Sequence, residues 1–244
     1  MSDAAPTVYL RNICLAYQNQ VLFKHMDFCL PGAQTTCLLG RSGLGKTSLL
    51  KLIAGLTGKH PDANRVASDG KPLVGRIAYL SQTNPLLPWL NVLNNTVLAY
   101  RLRWQTPPLA RAQKLLSQLG LGSDLTKYPA TLSGGMQQRV ALARVLMEDK
   151  PIVLMDEPFS ALDTVTRYQL QTLFAQYLTK RTVLLVTHDP LEALRLGHQL
   201  VILQDRPSTL KSLDLALSEP PPRSLDNLAL LQRHSELLTY LGEG

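Results

Sequence analysis

The sequence predicts an α/β fold: a mostly parallel sheet covered by helices on both faces, with an antiparallel β subdomain and an inserted helical subdomain. Three observations predict it. From residue 35 onward, short continuous apolar runs alternate with helical stretches. The first thirty residues alternate apolar and polar positions, and residues 86–130 have a helical pattern with prolines at 107 and 108 and a glycine break at 120–122. A chain of 244 residues, 45% of them hydrophobic, can build the core that this fold requires.

The first half of the chain contains the predicted β subdomain. VYLRNICLAY and VLFKHMDFCL are predicted to form antiparallel strands because apolar residues recur at every second position. TTCLLG is predicted as a buried strand, KTSLLKLIAGL as a helix that ends near Gly55, and RIAYL as the next strand. Residues 57–75 are polar and irregular, and no function is predicted for them.

The second half alternates helices and strands. Its predicted elements are a helix at 136–148, the strand PIVLM, a helix at 164–179, the strand TVLLVT, a short helix at 190–196, the strand HQLVIL and a terminal helix at 225–241. The predicted division is a core of residues 1–85 and 150–205, a helical subdomain of residues 86–149 and a tail of residues 206–244.

The composition limits the function classes. A net charge of +7 suits anionic ligands, but no long basic tract occurs, so most of the excess is interpreted as ordinary solvated surface. Cys14, Cys29 and Cys37 form no C-x-x-C pair, which argues against a disulfide framework or zinc site and fits a reducing compartment. The start MSDAAPTVYLR is not of signal-peptide type, and no uncharged apolar run reaches the roughly 18 residues that span a bilayer. We expect a cytoplasmic chain whose membrane role, if any, needs a partner.

GRSGLGKT, residues 40–47, has the pattern G-x-x-x-x-G-K-[ST] between a predicted strand and a predicted helix. Backbone N–H groups of such a turn converge on a phosphate; Lys46 is expected to reach the β- and γ-phosphates and the Thr47 hydroxyl to bind Mg²⁺. The alternative is a glycine-rich turn with a solvent-exposed lysine, which the flanking strand and helix disfavour. The predicted phosphate-binding residues are Gly40, Arg41, Ser42, Gly43, Leu44, Gly45, Lys46, Thr47 and Ser48.

Two adjacent carboxylates, Asp156 and Glu157, end the strand PIVLM, and Pro158 follows. A phosphate-binding loop needs an acidic residue on a neighbouring strand for the Mg²⁺ shell, and Asp156 is predicted to supply it. Glu157 is predicted to orient, or accept a proton from, the water that attacks the γ-phosphate. The alternative is that Glu157 is a surface carboxylate beside a strand end.

LSGGMQQR, residues 132–139, predicts a second anion site at the start of a helix. Ser133 is a good N-cap residue, and Gly134 and Gly135 expose backbone N–H groups. Because the chain already has one phosphate loop, the predicted ligand here is the γ-phosphate of a nucleotide held by another copy. The residues alone leave open a turn that only caps the helix.

LSGGMQQRVALARVL, followed by a strand and DEPFSALD, resembles the nucleotide-binding subunit of ATP-binding cassette (ABC) transporters over about residues 7–205. The resemblance implies ATP and Mg²⁺ as ligands, with Tyr17 stacking on adenine, although a strand aromatic in a small core is the alternative. It implies that Gln82 joins the Mg²⁺ shell and senses a membrane partner. It also implies that Asp163 crosses between subunits and that His188 contacts the γ-phosphate.

NPLLPWLNVLNN, residues 84–95, is too apolar for an ordinary exposed loop. It is interpreted as a groove for a coupling helix of a transmembrane subunit; the alternative is a loop folded into its own core. The stretch resembles the importer cassettes for nitrate, taurine, aliphatic sulfonates and pyrimidine precursors of thiamine. Met136 replaces the glutamine of many cassettes, and the residues after His188 are too few for the regulatory β-barrel of sugar importers.

The resemblance implies an assembly in which two copies sandwich two ATP molecules on the cytoplasmic face of the inner membrane. Its implied partners are integral membrane permease subunits and a periplasmic or lipid-anchored substrate-binding protein, with no nucleic acid. Import of a small anion or thiamine precursor is expected, and the partners choose the cargo. One rival is a soluble ABC ATPase acting on nucleic acid or ribosomes, which would carry long heptad insertions or two cassettes. A non-hydrolysing scaffold would lack part of the set Lys46, Asp156, Glu157 and His188.

Overall fold

The structure, a computed structural model, describes residues 5–17, 20–57, 65–83, 86–205, 207–215 and 217–243. The chain forms two compact units: the first comprises residues 1–77, 151–157 and 178–244, and the second residues 78–150 and 158–177. Within the described ranges, no helix is long and apolar enough to cross a membrane. The functional division predicted from the sequence, at residues 85, 149 and 205, stays a prediction.

The elements follow one another in chain order. The strands are β1 (Val8–Tyr17), β2 (Gln20–Leu30), β3 (Thr35–Gly40), β4 (Arg65–Ala67), β5 (Ile77–Leu80), β6 (Ile152–Asp156), β7 (Thr182–Val186), β8 (Gln199–Gln204) and β9 (Thr209–Leu213). The helices are α1 (Lys46–Ala54), α2 (Val92–Thr96), α3 (Leu98–Leu102), α4 (Leu109–Gln118), α5 (Gly134–Met147), α6 (Thr164–Leu178), α7 (Pro190–Leu196) and α8 (Leu228–Glu243), with a 3₁₀ turn at Pro129–Thr131.

The smaller sheet of the first unit has the strand order β2-β1-β4, with both pairings antiparallel. β1 and β2 pair from Val8 opposite Leu30 to Tyr17 opposite Gln20. The predicted antiparallel subdomain is confirmed. β4 was not predicted, because three residues are too few to establish an alternating pattern.

The larger sheet of the first unit contains the order β6-β7-β3-β8-β9. The first four of these strands are parallel, and β9 is antiparallel to β8. Every residue of β6 and β7 is buried, as expected for a parallel sheet covered on both faces. Because the carboxyl ends of parallel strands share one edge, the residues that follow β3, β6 and β7 are brought together there.

The second unit is mainly helical, with α5 at its core. The sequence predicted a helical pattern over residues 86–130 with breaks at the prolines 107 and 108 and at residues 120–122, and α4 lies between those breaks. The start of the pattern was wrong, because residues 86–91 form no helix and α2 begins at Val92. Asn91 starts α2 by accepting a hydrogen bond from the Asn94 N–H at 2.9 Å. Pro107 and Pro108 separate α3 from α4, since proline removes a backbone donor.

Candidate functional site

The phosphate-binding loop joins β3 to α1 in the first unit. A Cβ atom at Gly40 would lie 2.7 Å from the Leu203 carbonyl oxygen on β8, so the loop can start beside that strand only with glycine there. Gly45 has φ +101° and directly precedes α1. The structure thus explains two glycines of the motif by space and by conformation. Among the other loop residues, Arg41, Ser42 and Gly43 are exposed, and Leu44 and Ser48 are half-buried.

Lys46 is the first residue of α1 and is only 8% exposed. Its Nζ donates hydrogen bonds to the carbonyl oxygens of Gly40 at 2.5 Å and Arg41 at 2.9 Å. Burial lowers the pKa of the ammonium, and the carboxylates of Glu157 and Asp156 oppose that shift. The chain therefore holds a desolvated cation against the backbone of the loop.

Thr47 and Asp156 join the helix that follows β3 to the end of β6. The Thr47 Oγ1 donates to the Asp156 Oδ2 at 2.7 Å, and Asp156 is 2% exposed. Burial raises the pKa of this carboxyl, while the Thr47 hydrogen bond lowers it. A hydroxyl and a carboxylate are hard oxygen ligands of the kind that Mg²⁺ uses together with waters and phosphates. Within the described residues, no cluster of three or more His, Cys, Asp or Glu could hold a metal.

Glu157 and His188 lie beside this pair in the first unit. The Glu157 N–H donates to the Val186 carbonyl at the end of β7 at 2.9 Å, and its backbone has φ +50°. A non-glycine residue in this left-handed region is strained, and such strain persists only where neighbours fix it. The Glu157 Oε2 lies 3.4 Å from the His188 Nδ1. The structure brings together five predicted residues: Lys46, Thr47, Asp156, Glu157 and His188.

Ser208 supports the loop and was missed by the sequence analysis. It lies between β8 and β9, where its Oγ donates to the Leu44 carbonyl at 2.7 Å and its N–H donates to the Leu22 carbonyl at 2.7 Å. These bonds tie the phosphate-binding loop to β2. No local pattern could reveal a contact between residues so far apart in the chain.

Ser133 and the two glycines after it begin α5 in the second unit. The Ser133 Oγ accepts a hydrogen bond from the Met136 N–H at 3.3 Å, which confirms the predicted N-cap. Ser133 and Gly134 are exposed. A Cβ at Gly134 would meet nothing within 4 Å, whereas one at Gly135 would lie 3.2 Å from the Ala161 carbonyl oxygen. Binding of a phosphate at this turn stays a prediction.

Asp163, Gln82 and Tyr17 are the three remaining predicted residues. Asp163 is exposed and accepts a hydrogen bond from the Thr166 N–H at 3.0 Å, and this bond lowers the pKa of its carboxyl. Gln82 is exposed and follows β5 by two residues. Tyr17 ends β1, but its side chain lies outside what the structure describes, so its predicted stacking on adenine stays a prediction.

The apolar loop before α2 is held by Asn95, another residue that the sequence analysis did not single out. Its buried amide donates to the carbonyls of Leu87 at 3.1 Å and Leu90 at 2.8 Å, and its carbonyl accepts from the Leu87 N–H at 2.9 Å. Trp89, between these anchor points, is 69% exposed. The loop is thus ordered by one amide while presenting an aromatic side chain to solvent; residues 84–85, part of the predicted groove, lie outside the described ranges.

Comparisons with known proteins agree on one family. The family model described as ABC transporter matches residues 23–160. An uncharacterized ABC transporter ATP-binding protein of Haemophilus influenzae is 39% identical over 240 residues, covering 96% of this chain and 98% of that protein. The aliphatic sulfonates import ATP-binding protein SsuB of Delftia acidovorans is 36% identical over 241 residues, covering 98% of this chain and 95% of its own length.

A solved structure gives the same result. A dimeric bacterial ABC transporter cassette matches with a TM-score of 0.75 and 26% identity, covering 86% of this chain and 99% of that cassette. The same cassette in a dimeric post-hydrolysis state bound to ADP and Pi matches with a TM-score of 0.74. The predicted α/β fold, with a phosphate-binding loop between a strand and a helix, is confirmed.

Proposed function

The chain belongs to the ABC transporter family, whose ATP-binding proteins hydrolyse ATP, and from that premise we propose that it is the ATPase subunit of a solute importer. The observation that carries the catalytic part is the hydrogen bond between Thr47 and Asp156, with Glu157 next in the chain. Relatives that are named for the import of aliphatic sulfonates support the importer part.

Lys46 and the loop amides would bind the β- and γ-phosphates. The Lys46 ammonium, now hydrogen-bonded to two loop carbonyls, would exchange those bonds for phosphate oxygens at the same turn. The side-chain oxygens of Thr47 and Asp156, together with Gln82, would hold Mg²⁺. When bound, this ion neutralises phosphate charge. A cation held at this site would offset the cost of burying the Asp156 charge.

Glu157 would orient the attacking water and accept its proton. Its strained backbone fixes the carboxylate at the end of β6, and His188 lies 3.4 Å away, where its ring would contact the γ-phosphate. Both residues follow buried parallel strands of one sheet, which fixes where their backbones lie at its carboxyl edge.

The active form would be a dimer of two copies around two ATP molecules, as the solved relatives described as dimeric suggest. Ser133, Gly134 and Gly135 of one copy would contact the γ-phosphate that is bound by the loop of the other, and Asp163 would cross between the copies. Tyr17 would stack on adenine. We expect Glu157→Gln to elute as a dimer in ATP and as a monomer in ADP, measured by light scattering. A monomer in both nucleotides would contradict this assembly.

The partners would be permease subunits in the inner membrane, on whose cytoplasmic face the chain would lie, and a periplasmic or lipid-anchored binding protein. The exposed Trp89, on a loop that Asn95 holds in place, is the proposed contact for the permease. The cargo would be an aliphatic sulfonate or another small anion, with a thiamine precursor as the alternative. No nucleic acid is proposed as a partner.

The test of this proposal is to tag the chain, solubilise its membranes gently and cross-link from a photoreactive residue at position 89. We expect a polytopic membrane protein to co-purify and cross-link, and its own sequence would narrow the cargo. Recovery with nucleic acid or ribosomes, and without a membrane protein, would support the soluble ATPase instead.

A further inference from the structure

Both tryptophans of the chain, Trp89 and Trp104, are exposed in the second unit. Trp104 is 95% exposed, and its neighbour Leu102 is 71% exposed. Tryptophan side chains are highly buried on average, so an indole that is almost fully exposed to solvent beside an exposed leucine needs a physical reason. We call residues 101–104, Arg-Leu-Arg-Trp, the tip.

The tip is an ordered turn at the end of α3. The Trp104 N–H donates to the Arg101 carbonyl at 3.1 Å, and the Gln105 N–H donates to the Tyr100 carbonyl at 2.9 Å. The Arg103 guanidinium lies 5.5 Å from the centre of the Tyr100 ring, whose hydroxyl donates to the Met147 carbonyl at 3.1 Å. These contacts connect the tip to the last turn of α5, so the backbone that carries the indole is held in place.

The charge around the tip is positive. The chain has no Asp or Glu between Asp69 and Asp124, and the second unit carries four exposed cations in that interval: Arg101, Arg103, Arg111 and Lys114. Two of them have acidic neighbours from the end of α5, since Arg103 lies 3.7 Å from Glu148 and Arg111 lies 3.7 Å from Asp149. Arg101 instead bonds the neutral amide of Asn94 at 2.8 Å, so the patch keeps a net positive charge.

We propose that the tip contacts an anionic phospholipid surface, with Trp104 and Leu102 entering the headgroup region and Arg101 and Arg103 lying over lipid phosphates. Tryptophan favours the membrane–water boundary, and clustered cations are attracted to anionic leaflets. An indole that is 95% exposed lies in no groove, which favours a flat surface over a peptide helix as the occupant. The inference extends the membrane location of the proposed function, but its test needs no permease.

The experiment uses two forms of the full chain that each contain a single tryptophan. Trp89→Phe leaves only Trp104, and Trp104→Phe leaves only Trp89. Each is mixed with vesicles of phosphatidylethanolamine and phosphatidylglycerol, or of phosphatidylcholine alone, some carrying brominated acyl chains. We expect Trp104 emission to shift to shorter wavelength and to be quenched by the brominated lipid in the anionic vesicles only.

Charge substitutions then test the arginines. Arg101→Gln with Arg103→Gln, in the Trp89→Phe form, should weaken binding to anionic vesicles about 30-fold, which corresponds to ~1 kcal/mol per cation. Lys24→Gln with Lys71→Gln removes the same charge from exposed positions of the first unit and should leave binding nearly unchanged. Circular dichroism and ATP binding confirm that each variant is folded.

Three results would overturn the proposal. Trp104 emission could stay unchanged with anionic vesicles, or it could shift equally with phosphatidylcholine. A photoreactive residue at position 104 could also cross-link only to a polypeptide in native membranes, which would assign the tip to a protein partner. ATP hydrolysis and permease association are measured separately, so each of these results leaves the importer proposal standing.

Discussion

The two units place their predicted phosphate-binding groups in opposite environments. In the first unit, Lys46 and Asp156 are buried and already hydrogen-bonded to the loop and to Thr47. In the second unit, Ser133 and Gly134 are exposed, and a Cβ at Gly134 would contact nothing. In the first unit, the buried charges lower the free energy of unfolding but are held in fixed positions. In the second unit, the turn at Ser133 and Gly134 is exposed to solvent. We infer that the proposed catalytic groups are preorganised within one chain and that the turn at Ser133, Gly134 and Gly135 stays accessible for recognition.

The largest effect on turnover is expected from a change to the proposed catalytic residues of the first unit. Glu157→Gln keeps the shape of the side chain but removes the proton acceptor, so ATP turnover should fall about 100- to 10,000-fold while ATP binding is retained. Steady-state phosphate release and nucleotide binding measure the two properties. Asp226→Asn, an exposed change in the first unit, is the control. Turnover like the wild type in Glu157→Gln would refute the assigned role.

Gly134→Ala tests the exposed turn at the start of α5. Its Cβ has free space in the chain itself, and alanine is a better helix former than glycine, so the melting temperature should not fall. A methyl group where a phosphate must approach should still lower turnover about tenfold, or ~1.4 kcal/mol of barrier. Gly135→Ala is the contrasting change, because its Cβ would lie 3.2 Å from the Ala161 carbonyl and should reduce stability. Full turnover in Gly134→Ala would mean that the turn only caps α5.

Asp156→Asn tests the cost of the buried charge. Because burial raises its pKa, folded Asp156 holds its proton to higher pH than the unfolded chain does. Its contribution to stability is therefore complete below the unfolded pKa, about 3.9, and is lost as pH rises through the folded pKa. Above that window the variant should melt about 2–4 °C higher than the wild type, equivalent to ~1 kcal/mol, while losing turnover. Below the window the two should melt alike; a variant that melts lower at neutral pH would show that the charge stabilises the fold.

The smallest effect is expected at the support of the loop. Ser208→Ala removes the hydrogen bond to the Leu44 carbonyl, which should cost ~1 kcal/mol and weaken ATP binding a few-fold without changing the maximal rate. Titration with a fluorescent ATP analogue, beside turnover at saturation, separates these properties. Ser212→Ala, on β9, is the matched control. A lower maximal rate with unchanged binding would place Ser208 in the chemistry instead of in the support of the loop.

Much of the fold followed from local patterns. β3, β6, β7 and β8 were predicted because buried parallel strands read as continuous apolar runs, and the Ser133 cap was predicted because serine suits that position. Clustering of Thr47 with Asp156 could be expected because their motifs follow parallel strands, whose carboxyl ends share one sheet edge. The two strands, β3 and β6, are not neighbours as expected, since β7 lies between them. The hydrogen bond between Thr47 and Asp156 could not be predicted from the sequence, because it depends on how the strands are aligned in the sheet.

What the sequence could not predict depends on distant partners. β9 reads TLKSL, with too little apolar pattern to indicate a strand, and it forms by pairing with β8. Ser208 and Asn95 donate hydrogen bonds to backbone carbonyl groups. Every residue has such a group, so the sequence does not reveal which residue is the partner. The helical pattern expected from residue 86 was wrong at its start, because α2 begins only at Val92, after the N-cap Asn91.

The position of β3 has a consequence for how the protein is made. β3 lies between β7 and β8, and Thr36 of β3 is opposite Gln199 of β8. The ribosome therefore releases the nucleotide-binding loop long before both strands that flank β3 exist, a delay of roughly 10–30 s for about 160 residues. During that interval an apolar strand has both edges open to other chains. A nascent-chain chaperone that shields β3 should thus raise the yield of active enzyme more than one that acts on the finished polypeptide.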